Sequence, residues 1–257
     1  MIISSWNVNG IRACVKKGSF FEYLESKDPD ILFLQEIKAL ESDLPENVRQ
    51  PAGYHAEWFP AEKKGYSGVG VLTKEKPIAI HKGFGIPEYD REGRVIVVEY
   101  DTFYALGVYF PNGQMSPERM AYKLTFYKAL FDYCEELKAT GKHVLIAGDY
   151  NTAHTAIDLA RPKENEGISG FTPIEREWMD RIIGEYGYRD TFRAFNSEPK
   201  EYSWWTYRAG ARQRNVGWRI DYVFVSEALL PQVSNAFIQQ DVMGSDHCPV
   251  GVQLNLS

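Results

Sequence analysis

Short apolar runs, each closed by a polar cluster, recur along the whole chain: Ile2–Trp6, Ile31–Leu34, Val69–Leu72, Val95–Val98, Tyr104–Phe110, Val144–Ala147, Ile220–Val225 and Val250–Leu254. Their length and flanking turn residues mark them as β-strands. Several lack strict apolar–polar alternation, which predicts strands covered on both faces. Arg94–Asp101 and Phe103–Phe110 are separated by Thr102 alone and predict a hairpin, so the sheet is expected to be mixed or antiparallel in places.

Helices are fewer and sharply marked. Ser116 before Pro117 and Glu118 predicts an N-cap with proline at the first helical position; Met120, Leu124, Tyr127, Phe131 and Cys134 then recur at helical spacing until Gly141. Thr172-Pro173-Ile174-Glu175 is a capping box opening a helix to about Glu185, and a third helix is expected from Gly18 to Lys27, stopped by Asp28-Pro29. No linker, repeat or low-complexity tract divides these elements. The chain therefore reads as one α/β domain over residues 1–257, most simply two packed sheets flanked by helices.

Composition excludes several classes. Apolar residues at 44% and charged residues at 25% suit an ordinary globular core, and no apolar run approaches the roughly 18 residues that a membrane span needs. Met1-Ile2-Ile3-Ser4-Ser5 reads as a strand, not as the basic start of a leader, so a cytoplasmic chain is expected, near the nucleoid or, in a eukaryote, in the nucleus. Cys14, Cys134 and Cys248 are odd in number and widely spaced, which predicts small core residues in place of disulfides or a zinc site. The net charge of −6 means that any polyanion must meet a local basic patch.

What stands at the strand ends carries the chemistry. Ile2–Trp6 runs into Asn7-Val8-Asn9-Gly10, Ile31–Leu34 into Gln35-Glu36, and Val144–Ala147 into Gly148-Asp149-Tyr150-Asn151; Ser245-Asp246-His247 precedes the last strand. Any one of these acids alone could be a cap or turn residue. Gathered on one edge, they form the oxygen-rich set that suits a hard divalent cation such as Mg²⁺ and phosphate chemistry. Of the histidines, His55, His81 and His143 stand in strand-edge or turn settings away from these acids, His154 divides between loop bracing and a substrate contact, and His247 is the catalytic candidate.

These segments resemble a known family. Trp6-Asn7-Val8-Asn9-Gly10-Ile11-Arg12-Ala13, Leu34-Gln35-Glu36-Ile37-Lys38, Tyr109-Phe110-Pro111-Asn112-Gly113, Gly148-Asp149-Tyr150-Asn151-Thr152-Ala153-His154, Asn215-Val216-Gly217-Trp218-Arg219-Ile220-Asp221-Tyr222 and Gly244-Ser245-Asp246-His247-Cys248-Pro249 are similar to the ordered motifs of the exonuclease III family of apurinic/apyrimidinic endonucleases. Ser-Asp-His or Gly-Asp-x-Asn alone would indicate only the wider endonuclease/exonuclease/phosphatase superfamily; Asn-Val-Gly-Trp-Arg-x-Asp and Tyr-x-Pro-Asn-Gly point to the DNA-repair branch. The resemblance implies a DNase I-like four-layer α/β sandwich, two packed mixed β-sheets with helices outside, and an active site at one edge. It implies Glu36 as principal Mg²⁺ ligand, with Mn²⁺ a second candidate, and Asn7, Asn9, Asp149, Asn151, Asp246 and His247 as further members of the metal shell. Asp149 would orient or deprotonate the attacking water, Asn151 would support the metal and phosphate, and His247, held by Asp221, would contact the scissile phosphate. Tyr109 and Asn112 would face the phosphate or leaving group. Asn9 stands where some relatives carry Asp, and Gln114-Met115-Ser116 has no basic side chain where some relatives insert an arginine.

DNA would be gripped locally. Tyr202–Ile220 holds Arg208, Arg212, Arg214 and Arg219, no acid, and Trp204, Trp205, Tyr207 and Trp218 between them. Arginines beside aromatics can hold phosphates while rings stack on or wedge between bases. Two adjacent tryptophans cannot both face one side of a strand. Lys63-Lys64-Gly65-Tyr66 forms a basic, glycine-containing loop able to offer N–H groups to a phosphate, and Asn165 and His154 join the expected substrate contacts. By motif position Trp204, Trp218 and Ile220 would line a pocket for a base-less sugar. The expected activity is Mg²⁺-dependent incision 5′ to an abasic site in duplex DNA by a monomer, leaving a 3′-hydroxyl and a 5′-deoxyribose phosphate, with 3′-to-5′ exonuclease or 3′-end trimming. The alternatives are the same chemistry on another phosphodiester or phosphomonoester, or a catalytically silent damage binder; the second is disfavoured because every acid and the histidine are present.

Overall fold

The computed structural model describes residues 1–114 and 116–255; Met115 of the Gln114–Ser116 segment lies outside the described residues. Twelve strands form two six-stranded sheets. The first contains β1 (Ile2–Asn7), β2 (Ile31–Gln35), β3 (His55–Phe59), β4 (Val69–Thr73), β11 (Val233–Ile238) and β12 (Val250–Leu254), in the order β11-β12-β1-β2-β4-β3. The second contains β5 (Ala79–Lys82), β6 (Val95–Glu99), β7 (Phe103–Tyr109), β8 (His143–Asp149), β9 (Tyr188–Asp190) and β10 (Asp221–Ser226), in the order β5-β6-β7-β8-β10-β9. Both are mixed, because β1–β2 and β7–β8 run parallel while their neighbours pair antiparallel.

The missing alternation in the apolar runs follows from the layers. In β2, Ile31 and Phe33 point to the core between the sheets, against Ile96, Val98, Ala105 and Leu145. Leu32 and Leu34 point outward to a second core with Phe20, Tyr23 and Leu24 of the helix Ser19–Lys27. The other sheet repeats the arrangement: Val97, Leu106, Val144 and Ile146 meet the helices Pro117–Ala139 and Pro173–Gly184 through Phe126, Leu130, Met179 and Ile182. The result is helix, sheet, sheet, helix, the four-layer sandwich. The sheets approach so closely at Gly107 that a Cβ there would lie 2.3 Å from the Phe33 ring. The three cysteines are buried and free.

The eight strands read from the sequence are all interior to their sheets. The four not anticipated, β3, β5, β9 and β11, are the four edges. Edge strands are half-solvated: β3 and β11 mix exposed and buried positions, and β5 has no fully buried one. The helices match their caps: Ser116 Oγ accepts from Arg119 N–H, Thr172 and Glu175 form the reciprocal box, and Asp28 ends its helix in the left-handed region. The β6–β7 hairpin turns through Tyr100–Thr102, closed by Tyr100 N–H donating to Phe103 O at 2.9 Å.

Candidate active site

The parallel pairing of β1 with β2 puts Asn7 opposite Gln35, so Asn7 and Glu36 leave the sheet together. In the other sheet the β8–β10 ladder ends with Asp149 opposite Asp221. His247 lies just before β12, which runs antiparallel to β1, and therefore enters from the same side. One rim of the sandwich thus gathers polar residues from both sheets. Asn9, Glu36 and Asn151 hold left-handed backbone at φ 44°, 49° and 50°, a conformation that side-chain-bearing residues adopt mainly where surrounding structure enforces it.

The Asn7 amide donates to Glu36 Oε1 and Asp149 Oδ2, both at 2.9 Å, and its oxygen accepts from Asn9 N–H. Asn7 therefore spaces two carboxylates as a donor, where it was expected in the metal shell. Asp246 takes Asn9 Nδ2 at 2.9 Å and the Trp204 indole N–H at 3.1 Å. Asn151 N–H donates to Asp149 Oδ1 at 2.8 Å, and Asn112 donates to Asn151 Oδ1 at 3.1 Å. His247 Nδ1 lies 2.8 Å from Asp221 Oδ2, which also accepts from Ser203 Oγ, while Nε2 faces Asp149 Oδ2 at 3.8 Å.

Burial pushes the Asp149 carboxyl up, and the neighbouring Asp221 charge adds to this; His247 opposes both. Burial alone would lower the His247 imidazole, but Asp221 and Asp149 outweigh it and hold it protonated above its ordinary range. Burial would also raise Asp246, yet His247 and the Asn9 and Trp204 donors keep it below the ordinary carboxylate range. A basic carboxylate beside a retained imidazolium is the pairing that separates base and electrostatic roles.

Among the described residues, Glu36, Asp149 and His247 can share one ion, their ligand atoms lying within 4.8 Å of one another. The donor set fits a cation, and the Lys38 ammonium meets one of its members from the side, 2.7 Å from Glu36 Oε2 and 2.5 Å from Asn9 Oδ1. Lys38 was not anticipated; its place two residues after Glu36 was the available signal.

Glu36, Lys38 and His247 line a cavity of about 650 Å³, with Asp149 buried behind them. Its polar wall is Asn9, Glu36, Tyr109, Asn112, Asn151, Asp246 and His247; its apolar wall includes Trp204, Val216, Trp218 and Ile220. Phe171, Leu159 and Ala153 back the apolar wall, and Trp204 meets Trp218 edge-on at 6.4 Å. Asn165 is on the rim, its amide donating to Ala160 and Arg161 carbonyls.

Several expected contacts lie elsewhere. Trp205 faces away from Trp204, is 2% exposed and donates to Asn215, so it packs the loop and meets no substrate. Arg212 spends its guanidinium on the carbonyls of Ser245, Gln240 and Val242 and thereby braces the segment that carries Asp246. Arg219 is fully buried between Asp158 and Asp190 and cannot reach DNA. His154 is not on the cavity wall and pairs with Asp180 at 2.7 Å, a contact that braces its loop. Tyr66 turns its hydroxyl inward to accept from Arg94 and Arg119, while Lys63 and Lys64 stay exposed. Arg208 and Arg214 are the exposed arginines that remain of the expected patch. A basic group that was not anticipated is Arg12, Lys16 and Lys17, exposed just after Asn9; the acid-free stretch Ile11–Gly18 was its signal. Lys17 also ties to Gly244 O at 2.8 Å, beside Asp246.

Residues 4–247 match the Endonuclease/Exonuclease/phosphatase family. The chain is 46% identical to an exodeoxyribonuclease of Bacillus subtilis over the full length of both, and 44% identical to a DNA-(apurinic or apyrimidinic site) endonuclease of Dictyostelium discoideum, covering all of this chain and 71% of that one. A solved 3′-5′ exonuclease of Neisseria meningitidis superposes over the whole of both chains with a TM-score of 0.91 at 27% identity. The rim of strand-end acids, the histidine they hold and the full-length kinship agree: this chain is a nuclease of the endonuclease/exonuclease/phosphatase family, in its exodeoxyribonuclease and AP endonuclease branch.

Proposed function

We propose that the protein is a Mg²⁺-dependent endonuclease that cuts duplex DNA 5′ to an abasic site as a monomer, leaves a 3′-hydroxyl and a 5′-deoxyribose phosphate, and trims 3′ ends. The observation that carries this reading is the apolar wall of Trp204, Trp218 and Ile220 in the same cavity as Glu36 and His247, with Asp149 Oδ2 buried 3.8 Å from His247 Nε2. A sugar without a base leaves the helix stack at less than the few kcal/mol that an intact nucleotide costs, and a tryptophan-walled recess accepts it while excluding a base.

The residues divide the work. Asp149, raised by burial, takes a proton from the attacking water, and Asn151 is placed by its N–H bond to Asp149 to orient that water or a phosphate oxygen. The His247 imidazolium, fixed by Asp221, offers Nε2 to a non-bridging oxygen as charge develops. Tyr109 and Asn112 stand on the wall where the leaving oxygen would emerge. A divalent cation held by Glu36 beside Asp149 would neutralise phosphate charge and stabilise the leaving group. Arg12, Lys16, Lys17, Lys63, Lys64, Arg208 and Arg214 are exposed cations available to the DNA backbone of an otherwise acidic protein.

The test is incubation with a duplex carrying one abasic analogue, with and without EDTA, beside an undamaged duplex and a phosphomonoester. Incision 5′ to the analogue that EDTA abolishes is the expected result. Equal cutting of undamaged DNA, or turnover of the phosphomonoester alone, overturns the assignment.

A further inference from the structure

Behind the Tyr109 wall of the cavity lies a charged cluster that meets the site only through Tyr109. Val95 pairs with Val108 near the end of the β6–β7 ladder, and one step further Tyr109 N–H donates to Arg94 O at 2.9 Å. The Arg94 side chain turns back over the same residue: Nη1 donates to Tyr109 O at 2.9 Å, and the guanidinium carbon lies 4.7 Å from the centre of the Tyr109 ring. Its remaining donors go to Glu92 at 2.6 Å and to the Tyr66 hydroxyl at 2.9 Å. Arg119 meets the same Glu92 and Tyr66 from the helix Pro117–Ala139. Gly93 makes the turn at φ 57°, where a Cβ would lie 2.7 Å from Phe59 O.

Arg94 is 1% exposed, and the cluster sets two guanidiniums against a single carboxylate. Burying an excess positive charge is a costly way to fill space, since an apolar side chain of similar volume packs as well. The group that gains from it is the Tyr109 ring, which lines the cavity on its other side. A cation on the face of a phenol withdraws electron density and strengthens its O–H as a donor, and the bond to the Tyr109 carbonyl fixes the backbone from which the ring projects.

We propose that Arg94 is a positioning residue for the nuclease reaction: it holds the Tyr109 hydroxyl aimed into the cavity and strengthens its hydrogen bond to the scissile phosphate or leaving oxygen. This rests on the role given to Tyr109 above. Arg94 itself touches no substrate. A competing role, holding the Lys63–Tyr66 loop for DNA, would act through Tyr66 and appear in affinity, not in the rate of cleavage.

A double-mutant cycle separates these roles. Single-turnover cleavage and equilibrium binding are measured on a duplex with one abasic analogue for the wild type, Tyr109→Phe, Arg94→Met, Arg94→Lys and the Tyr109→Phe/Arg94→Met pair. Each methionine or phenylalanine variant should cleave at least about tenfold more slowly with Kd within about threefold, and Arg94→Lys should recover part of the rate. The pair should be no more than about threefold slower than Tyr109→Phe alone, because Arg94 acts through the missing hydroxyl. Losses that multiply, or a loss confined to Kd, overturn the proposal while leaving Tyr109 in its role. A wild-type rate for Tyr109→Phe removes both. If Arg94→Met does not fold, the same cycle is read with Arg94→Gln, since Arg119 still holds Glu92.

Discussion

Replacing Arg219 by methionine should damage stability and leave DNA affinity intact, although Arg208 and Arg214, shortly before it in sequence, face solvent. Its guanidinium donates to Asp158 Oδ1 at 2.8 Å and to Asp190 Oδ2 at 2.7 Å, with the side chains of Arg219, Asp158 and Asp190 exposed by only 1%, 1% and 6%. Removing one partner of such a buried pair costs about 3–5 kcal/mol, because it strands the other charge. Arg193 still reaches Asp158 at 2.8 Å, which places the expectation at about 3 kcal/mol, the lower end of that range. Unfolding entropy near 2 cal/mol/K per residue makes this a fall in Tm of about 6 °C for a chain of 257 residues.

The pH dependence follows from Asp158. Burial would raise its carboxyl, but Arg219 and Arg193 lower it from 3.8 to about 2. A depressed carboxylate stabilises the fold above its unfolded pKa of about 4, and that contribution, about 2 kcal/mol, disappears as pH falls toward 2. The Tm gap between wild type and Arg219→Met should therefore be widest near neutral pH and narrow on acidification from about 4 to about 2. Thermal unfolding across this range, beside the salt dependence of binding to an abasic duplex, tests the reasoning. A Tm change below about 1 °C together with a log–log salt slope reduced by about 0.9 would place Arg219 on the DNA and refute it.

Exposed cations should behave in the opposite way: Arg208→Ala with Arg214→Ala should lower the salt slope by up to about 1.8 and leave Tm unchanged, and an unaltered slope moves the DNA surface elsewhere. Glu36→Gln removes charge from the cation site without changing its shape, so incision should fall and be partly restored by raised Mg²⁺; unchanged Mg²⁺ dependence excludes Glu36 as a ligand. Asp149→Asn and His247→Asn should each slow single-turnover incision by at least about 100-fold while affinity in Ca²⁺ or EDTA stays within about tenfold, and the double variant should lose far less than the product of the two. Near-wild-type cleavage in either variant takes that residue out of the catalytic assignment.

Legibility followed burial and sequence distance. A strand covered on both faces is apolar along most of its length, so β1, β2, β4, β6, β7, β8, β10 and β12 announce themselves; an edge strand such as His55–Phe59 meets no such demand. Strand-end acids are legible because parallel ladders such as β1–β2 bring consecutive ends to one rim. Arginine function is not, because a run of Arg208, Arg212, Arg214 and Arg219 looks uniform while their partners lie far away in sequence. Asp158 and Asp190 claim Arg219, and the carbonyls of residues 240–245 claim Arg212. Both tryptophans were expected at the DNA, but only Trp204 reaches the cavity, while Trp205 turns to the interior.

Glu175 shows why local rules read a residue correctly and still miss its main work. As the third helical residue after Thr172 it completes the capping box, accepting the Thr172 N–H and Oγ1. The same carboxylate takes Gly170 N–H at 2.7 Å and the Lys123 ammonium at 2.6 Å, with both charged side chains fully buried. Lys123 reads in sequence as one more cation on a long helix, yet it donates to Asn151 O at 2.7 Å and Thr152 Oγ1 at 2.8 Å. Left-handed backbone at a residue such as Asn151 costs about 1–3 kcal/mol and persists only when its carbonyl and amide are held from both sides. Asp149 Oδ1 holds the amide, and Lys123 holds the carbonyl. One buried ion pair thus joins the loop that aims Asn151 to Gly170 on the cavity wall, so the site's geometry depends on two charges whose sequence context advertises only a helix cap and a solvated helix face.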